Sequence, residues 1–519
     1  MKTLRSLLLL ACLGLLAQAH VGSPDIYLDG QAGPYKLFIT VRPPAVIPGI
    51  AELEIRAESE GVREIRAVPV PLGSISAKFA PVPDKLKVSA QDPRFFTGAL
   101  WIMTPGSWQV RITADGQDSS GVLAVPVPAA ALTTKSMQFG LGAGLAFLMI
   151  LLVGGLVAIA GATVREAKLP PGTGPGLVQL RRARTVMAIT LAVVVGLLVF
   201  GRWWWNSSEA HYRENVYKPL QMSAVLKNNG VLTLTMSDPG WLKPKDGNSP
   251  RLRPAFFVRK IDDLVPDHDH LMHLYAIRKE GLDVVYHLHP EMTGSGVFQL
   301  SLPMMEPGAY QLYADIVHVN GFPETMTGLL QVPGNLKGRA LGGDDASGKA
   351  TPWQQASTSE RTFALPDGYK MEWLQADKPL RAKQATPFRF RLLSPNGVPA
   401  QDMQFYMGML GHAAFIKTDG TAFAHIHPTG SVAMASFMLA QNQLKENPSN
   451  SMASMDMSGM GMSGMDMSGM DHTGQQARGS LPNEVTFPYG FPRPGRYRIF
   501  VQMKHGGVIE TGVFDADVK

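Results

Sequence analysis

The 519-residue chain has a single cysteine, Cys12. It lies inside an N-terminal stretch that reads as a secretory signal: Lys2 and Arg5, an apolar run from Leu7 to Leu16, then Ala17-Gln18-Ala19 as a cleavage site. Removal of residues 1–19 leaves a chain with no cysteine, which excludes disulfides, thiolate nucleophiles and thiolate metal ligands. The rival reading is a lipoprotein signal ending at Cys12, but the apolar run continues past it. Charge is also scarce, at 17 % of residues. The net charge of +6 comes from dispersed basic residues, so no nucleic-acid partner is expected. Any soft-metal chemistry must then rest on histidine and methionine.

Two segments are long and apolar enough to cross a bilayer, residues 139–164 and 185–205. Arg202 and Trp203-Trp204-Trp205 suit the headgroup level at the second. The loop between them, 165–184, carries Arg165, Lys168, Arg181, Arg182 and Arg184, and short basic loops stay in the cytoplasm. The flanking regions are therefore expected outside an inner (cytoplasmic) membrane, on the periplasmic side. The loop's Gly-Thr-Gly-Pro-Gly lacks the Lys-Ser/Thr of a phosphate-gripping loop.

The outer regions read as β-structure, with short alternating runs such as 35–41 and 230–235 punctuated by Pro and Gly. Pro105-Gly-Ser-Trp108, Pro307-Gly-Ala-Tyr310 and Pro494-Gly-Arg-Tyr497 share one motif, a turn feeding a late strand. The fold class expected is mainly β. Three Ig-like or cupredoxin-like sandwiches are placed at 20–135, 210–335 and 360–519, with the two membrane helices between the first and second and a linker at 336–358.

The histidines repeat. His273 precedes His287-Leu-His289-Pro290 by fourteen residues, and His412 precedes His425-Ile-His427-Pro428 by thirteen. Eight residues past each motif tyrosine comes another, His318 and His505. Residues i and i+2 of a strand share a face, so each His-x-His presents two imidazoles together. Each quartet is expected to form a three- or four-nitrogen site. Imidazole without carboxylate suits Cu(II), zinc or nickel. His268 and His270 stand beside the first quartet as spare candidates, and Met407 and Met409 flank Gly408 just before His412.

Between residues 450 and 475 a loop carries Met452, Met455, Met457, Met460, Met462, Met465, Met467 and Met470, then His472, with Gly, Ser and Asp between. No helix or strand period spares it a polar face, so a disordered loop is expected. Thioether sulfur prefers Cu(I). The expected metals are Cu(II) at the histidines and Cu(I) at the methionines, with zinc as the alternative.

The stretch Met407 to His412 with Phe423 to Pro428, and its second copy from His273 to Pro290, resembles segments of bacterial extracytoplasmic copper-binding proteins. These have Ig-like, cupredoxin-like domains of the copper-resistance carrier type. The resemblance covers the two C-terminal regions. It implies copper buffering, resistance or delivery rather than catalysis, with an extracytoplasmic copper protein or oxidase as partner. His20, the residue after the cleavage site, offers its amine and imidazole to copper as in a histidine brace. The region after it holds no further histidine before the membrane, so a brace there would need Asp25, another side chain or a partner. The layout is similar to the copper-bearing subunit of particulate methane monooxygenase, which gives a copper oxidase or monooxygenase subunit as the alternative. That subunit's first-domain His-x-His is missing here. A metal-modulated structural or sensor protein is the third reading.

Overall fold

The computed structural model describes residues 20–21, 25–72, 80–117, 119–135, 137–213, 216–241, 259–375, 377–446 and 481–519. These are mainly β, in several sheets, with two long apolar helices. The signal segment, the methionine loop and His472 lie outside the described residues.

The chain divides into two compact units. One is residues 131–217, and the other joins residues 1–130 with residues 218–519. The first unit holds α1 (Phe139–Glu166) and α2 (Leu177–Arg213). Both are long and apolar enough to cross a membrane. They pack through small residues: a Cβ on Gly161 would meet the Met187 sulfur at 2.6 Å. Helix α2 begins earlier than the apolar pattern suggested. Arg181, Arg182 and Arg184 are helical and the connection shortens to 167–176. Nothing stops a helix there, since no proline or glycine falls between Leu177 and Thr185.

In the other unit, residues 26–129 form two sheets, of five and four strands. The middle region has one sheet of Gln221–Leu226, Val231–Ser237, Val297–Ser301 and Glu291–Gly294. Its larger sheet is built from β1 (His273–Arg278), β2 (Val284–Leu288), β3 (Gly308–His318), β4 (Pro323–Val332) and β5 (Ala346–Lys349), in the order β4-β3-β1-β2-β5, with Leu264–Val265 also on β3. Strand β5 lies within 336–358, the stretch expected to be a linker. It pairs with β2, placing Ala346 opposite His287.

The C-terminal region repeats this plan. Its larger sheet holds β6 (His412–Lys417), β7 (Ala422–Ile426), β8 (Gly495–His505) and β9 (Val508–Val518), in the order β9-β8-β6-β7, with Met403–Gln404 also on β8. The edge beyond β7 is filled by His20–Val21, which pairs in parallel through its backbone with Ala422 and Phe423. Helix α3 (Met434–Glu446) follows β7 and was not legible as a helix in the sequence. Its Gln441 and Gln443 side chains reach the 26–129 region, at Ala124 O (2.7 Å) and Gln109 (2.9 Å).

The three Pro-Gly-x-aromatic motifs each open an eleven-residue strand. Gly106, Gly308 and Gly495 have φ of 134°, 146° and 132°, a conformation L side chains rarely adopt. The aromatic two residues later donates to the carbonyl four residues behind it: Trp108 to Thr104 (2.9 Å), Tyr310 to Glu306 (2.8 Å) and Tyr497 to Arg493 (2.8 Å). One side chain thus pins each turn to its strand.

Strand parity sorts the large sheets into two faces. Leu274, Ala276, Leu288, Tyr310 and Leu312 face the middle region's own core, as Ala413, Phe415, Ile426, Tyr497 and Ile499 do in the C-terminal region. The opposite faces meet each other. Tyr275, Ile277, Val285 and Tyr313 pack with Ala414, Ile416, Phe423 and Phe500 in a separate apolar cluster. Arg498 clamps this boundary, paired with Asp515 at 2.7 Å and donating to Thr351 O (2.8 Å) and Leu282 O (3.2 Å).

Candidate metal centre

The face that joins the two regions carries the histidines at one end. Register fixes this. His273 lies opposite Asp315 and Tyr275 opposite His287, so all four share the joining face. His412 lies opposite Gln502 and Ala414 opposite His425, which gives the same arrangement in the second copy. Ahead of β1 and β6 come matching tight turns, Asp267–His270 and Tyr406–Met409. Their central residues have positive φ: 50° at His268 and 67° at Asp269, 50° at Met407 and 75° at Gly408. That is a type I′ geometry, and on the first turn it sets the His268 ring against His412 and His427.

Two groups of ring nitrogens result, each within 4.8 Å of one another: His273, His287 and His289, and His268, His412 and His427. His425 adjoins the second through its Nε2, 3.2 Å from His412 Nδ1. His270 stacks on His289 with ring centroids 3.9 Å apart. The two expected quartets are thus one nest of eight imidazoles. Six are predicted ligands and two, His268 and His270, are the spare candidates.

The outer nitrogen of each of the six is held by an acceptor. His273 Nε2 lies 2.9 Å from Asp267 O, and His412 Nε2 lies 3.3 Å from Tyr406 O. His427 Nδ1 lies 3.2 Å from Val432 O, and His289 Nδ1 lies 3.2 Å from Asp345 Oδ1. His425 Nδ1 lies 3.3 Å from Asp315 Oδ2. His287 Nδ1 faces Gln502 Oε1 at 2.9 Å and Tyr406 Oη at 3.3 Å; the tyrosine's own proton goes to Asp344 O. Carbonyl and ionised carboxylate oxygens only accept, so these partners place each N–H outward and leave a lone pair on the inner nitrogen.

The inner lone pairs then face each other. His273 Nδ1 and His287 Nε2 are 3.1 Å apart, and with both protons committed outward neither can donate. The inner Nε2 atoms of His289, His427 and His268 are buried without a partner. Two lone pairs at this separation repel unless a cation sits between them. Two ligands on one ion with bonds of about 2.0 Å stand roughly 3 Å apart, so the spacing suits a shared metal. Outer-shell acceptors that set the tautomer are the usual companions of metal-bound imidazole.

Burial, and then the neighbouring histidines, hold the six predicted ligands in their neutral form. His273 is lowered to about 4, first by desolvation. His427 is lowered to about 3 for the same first cause. His287, His289, His412 and His425 lie well below the ordinary value, again through burial first and then mutual repulsion. Neutral imidazole is the ligand form. Burial pushes the Asp315 carboxyl up to about 7, and a cation beyond His425 would draw it back down.

His318 and His505 do not join the nest, and this corrects the quartets expected from the repeat. They lie at the ends of β3 and β8, on the faces that carry Tyr310 and Tyr497 and look into each region's own core. Both ring nitrogens of His318 are taken by carboxylates, Asp263 at 2.6 Å and Glu324 at 3.0 Å. Arg259 extends that network, 2.8 Å from Glu324. Burial pulls the His318 pKa down, but the hydrogen bonds it donates to the two carboxylates, with their charge, outweigh it and the net shift is upward. His505 lies between Asp402 (3.2 Å) and Asp367 (3.0 Å) and stacks on Tyr369 at 4.0 Å.

Met407 occupies the turn position matching His268, half-buried, and Met409 is buried. Sequence reading missed the residues that orient the nest: Asp315, Gln502, Tyr406 and Asp345. A signal existed for two of them. Asp315 and Gln502 each fall five residues past the motif tyrosine, a polar residue inside an apolar strand. Also missed was Tyr275, which stacks on His287 at 4.1 Å and lies 5.1 Å from His425.

A family model described as a domain of unknown function (DUF8832) matches residues 243–334 and 362–519. The match spans both nest-building regions and skips the segment between them. No curated protein matches. Among solved structures, the chain is similar to a tetra-tandem repeat in the extending region of a large adhesion protein, with 6% identity, 91% of this chain and 71% of that chain covered, and a TM-score of 0.15. It is also similar to a 1.5-MDa bacterial ice-binding adhesin (6% identity, 94% and 99% covered, TM-score 0.14). A third is a Salmonella alpha-2-macroglobulin reacted with methylamine (8% identity, 97% and 24% covered, TM-score 0.18). Likenesses at these TM-scores carry no argument about this chain, and its chemistry must be read from the nest.

Proposed function

We propose that this is a membrane-anchored copper-binding protein whose sheet regions lie on the extracytoplasmic side of the inner membrane, where it buffers copper or hands it on. The observation that carries the reading is the nest: six imidazoles with their outer nitrogens held by acceptors and their inner lone pairs converging. A donor set of neutral imidazole with no thiolate suits Cu(II), and also zinc. The methionine segment at 452–470 tips the choice to copper, because thioether sulfur is a Cu(I) ligand that survives an oxidising compartment. The basic residues between α1 and α2 support the sidedness. The pinned Pro-Gly-x-aromatic turns, whose hydrogen bonds resemble a tyrosine corner, support three Ig-like or cupredoxin-like sandwiches. The role proposed is holding and passing metal rather than turning over a substrate.

The test is the metal content of the full-length protein purified in mild detergent from its own membrane, beside His287→Ala with His425→Ala. Copper is expected in the native protein, and Cu(II) retention by the double variant should fall to near background. Zinc alone in the native protein, with no uptake of added copper, would sink the proposal.

A further inference from the structure

The nest is divided between two regions of chain, and one of its two ligand groups draws on both. Among the contacts that cross the boundary, three bear directly on the ligands. His268, on the turn of the middle region, belongs to the ligand group of the C-terminal region with His412 and His427, its ring 5.1 and 5.0 Å from theirs. Asp315, on β3, holds the outer nitrogen of His425. Gln502, on β8, together with Tyr406, holds the outer nitrogen of His287. The last two contacts are mirror images, since Asp315 and Gln502 occupy the same register position in the two copies. Each region therefore sets the tautomer of a ligand in the other.

Several rings are as close across the boundary as the strand neighbours are within each region. His273 and His287 are 5.4 Å apart, and His412 and His425 also 5.4 Å. Across the boundary, His273 to His425 is 5.4 Å, His287 to His425 is 5.3 Å and His287 to His412 is 6.2 Å. With metal–nitrogen bonds of about 2 Å, ions on the two sides stand within roughly 12 Å of each other. The wall between them is made of imidazole and the Tyr275 ring. Each ion has carboxylate charge behind a ligand: Asp345 behind His289 on one side and Asp315 behind His425 on the other.

We infer that the two ligand groups form one binuclear centre at the boundary of the middle and C-terminal regions, holding two copper ions close enough to interact. His268 serves as the crossing ligand to the second ion. This rests on the copper reading above, and it adds a stoichiometry, an interaction between the ions and a role for a residue of the turn. It also gives the two regions a shared role, since a metal pair can be held only while they stay docked.

The test loads the detergent-solubilised full-length protein with Cu(II) in steps and compares bound copper with the electron paramagnetic resonance signal. Cu(II) is the probe because thioether sulfur competes poorly for it. At one equivalent the signal should be that of an isolated ion. At two equivalents it should broaden and show a half-field line, or integrate to well below the copper content. His268→Asn keeps a residue that tolerates positive φ and removes the imidazole. It should weaken the second ion at least tenfold and abolish the interaction, while the first ion binds as before. Retention of copper with saturation at one ion, or with two ions whose signals simply add, overturns the binuclear centre and leaves the copper reading intact. No retained copper overturns both. An unchanged coupled signal in His268→Asn removes the crossing ligand from the proposal.

Discussion

Six histidines of the nest and the two at the ends of β3 and β8 come from the same duplicated pattern, yet the protein treats them in opposite ways. A nest ligand has one nitrogen on an acceptor and one turned toward other lone pairs. His318 has carboxylates on both nitrogens, and His505 stands between two more. The first arrangement stores a binding capacity that only a cation satisfies. In the second the protein supplies the counter-charge itself, two carboxylates around each ring. A repeat in sequence thus marks equivalent places in a fold without marking equivalent chemistry, and strand parity separates the two sets.

The sharpest way to break this comparison is to remove each set in turn. His287→Ala with His425→Ala removes the two ligands whose outer nitrogens are held from across the boundary, and Cu(II) should be lost almost completely. His318→Ala with His505→Ala should leave the copper content per chain unchanged, read by elemental analysis. The second variant should still be less stable. Removing His318 takes a hydrogen bond from Asp263 and one from Glu324, which keeps Arg259, and losses of this kind cost about 1–3 kcal/mol. Copper lost in proportion to both pairs would mean that the strand-end histidines are ligands after all.

A smaller effect should separate the ligands from the groups behind them. Gln502→Leu removes the amide that holds the His287 proton, and Asp315→Asn weakens the acceptor behind His425. Outer-shell losses of this kind typically weaken metal binding by about 10–100-fold without changing how many ions bind. Titration against a chelator of known affinity reads this directly. Equal affinity in Gln502→Leu and the parent would show that the crossing contact orients nothing.

What was legible in advance follows the same physics. The His-x-His pairs were readable because two residues apart in a strand is a local rule. The long strands were readable because Pro-Gly with an aromatic two residues on marks a turn. The helices α1 and α2 were readable from apolar length alone, although α2 began earlier because Arg181 and its neighbours are good helix formers with no breaker before them. The merging of two quartets into one nest was not readable, since it depends on which sheet faces meet, and no single-strand pattern encodes that. The place of His318 was half legible: it sits eight residues past Tyr310, an even number, so it shares the tyrosine's core-facing side. The place of His268 was hidden in a turn whose partner lies across the boundary.

The last predicted effect is the one whose sign differs between the two sets. In the copper-free protein His273, His287, His289, His412, His425 and His427 stay neutral far below their ordinary range, with His273 near 4 and His427 near 3. An unfolded chain takes up protons on these residues at about pH 6.5. As pH falls from about 6.5 toward 4, the unfolded state binds more protons and stability declines, by at most about 1.4 kcal/mol per pH unit for each such histidine. For His318 the folded pKa is raised, so its contribution is full below about 6.5 and fades as pH rises through the folded value. The melting temperature of the copper-free protein should therefore fall between pH 7 and pH 5, and His318→Ala should leave that acid slope standing while flattening any decline on the alkaline side. Copper should suppress the acid slope, because a bound ion occupies the lone pairs that protons would otherwise reach only on unfolding. An acid slope that is absent without copper, or equally steep with it, would mean that the nest histidines already meet water and protons in the folded protein, and the contrast with His318 would collapse.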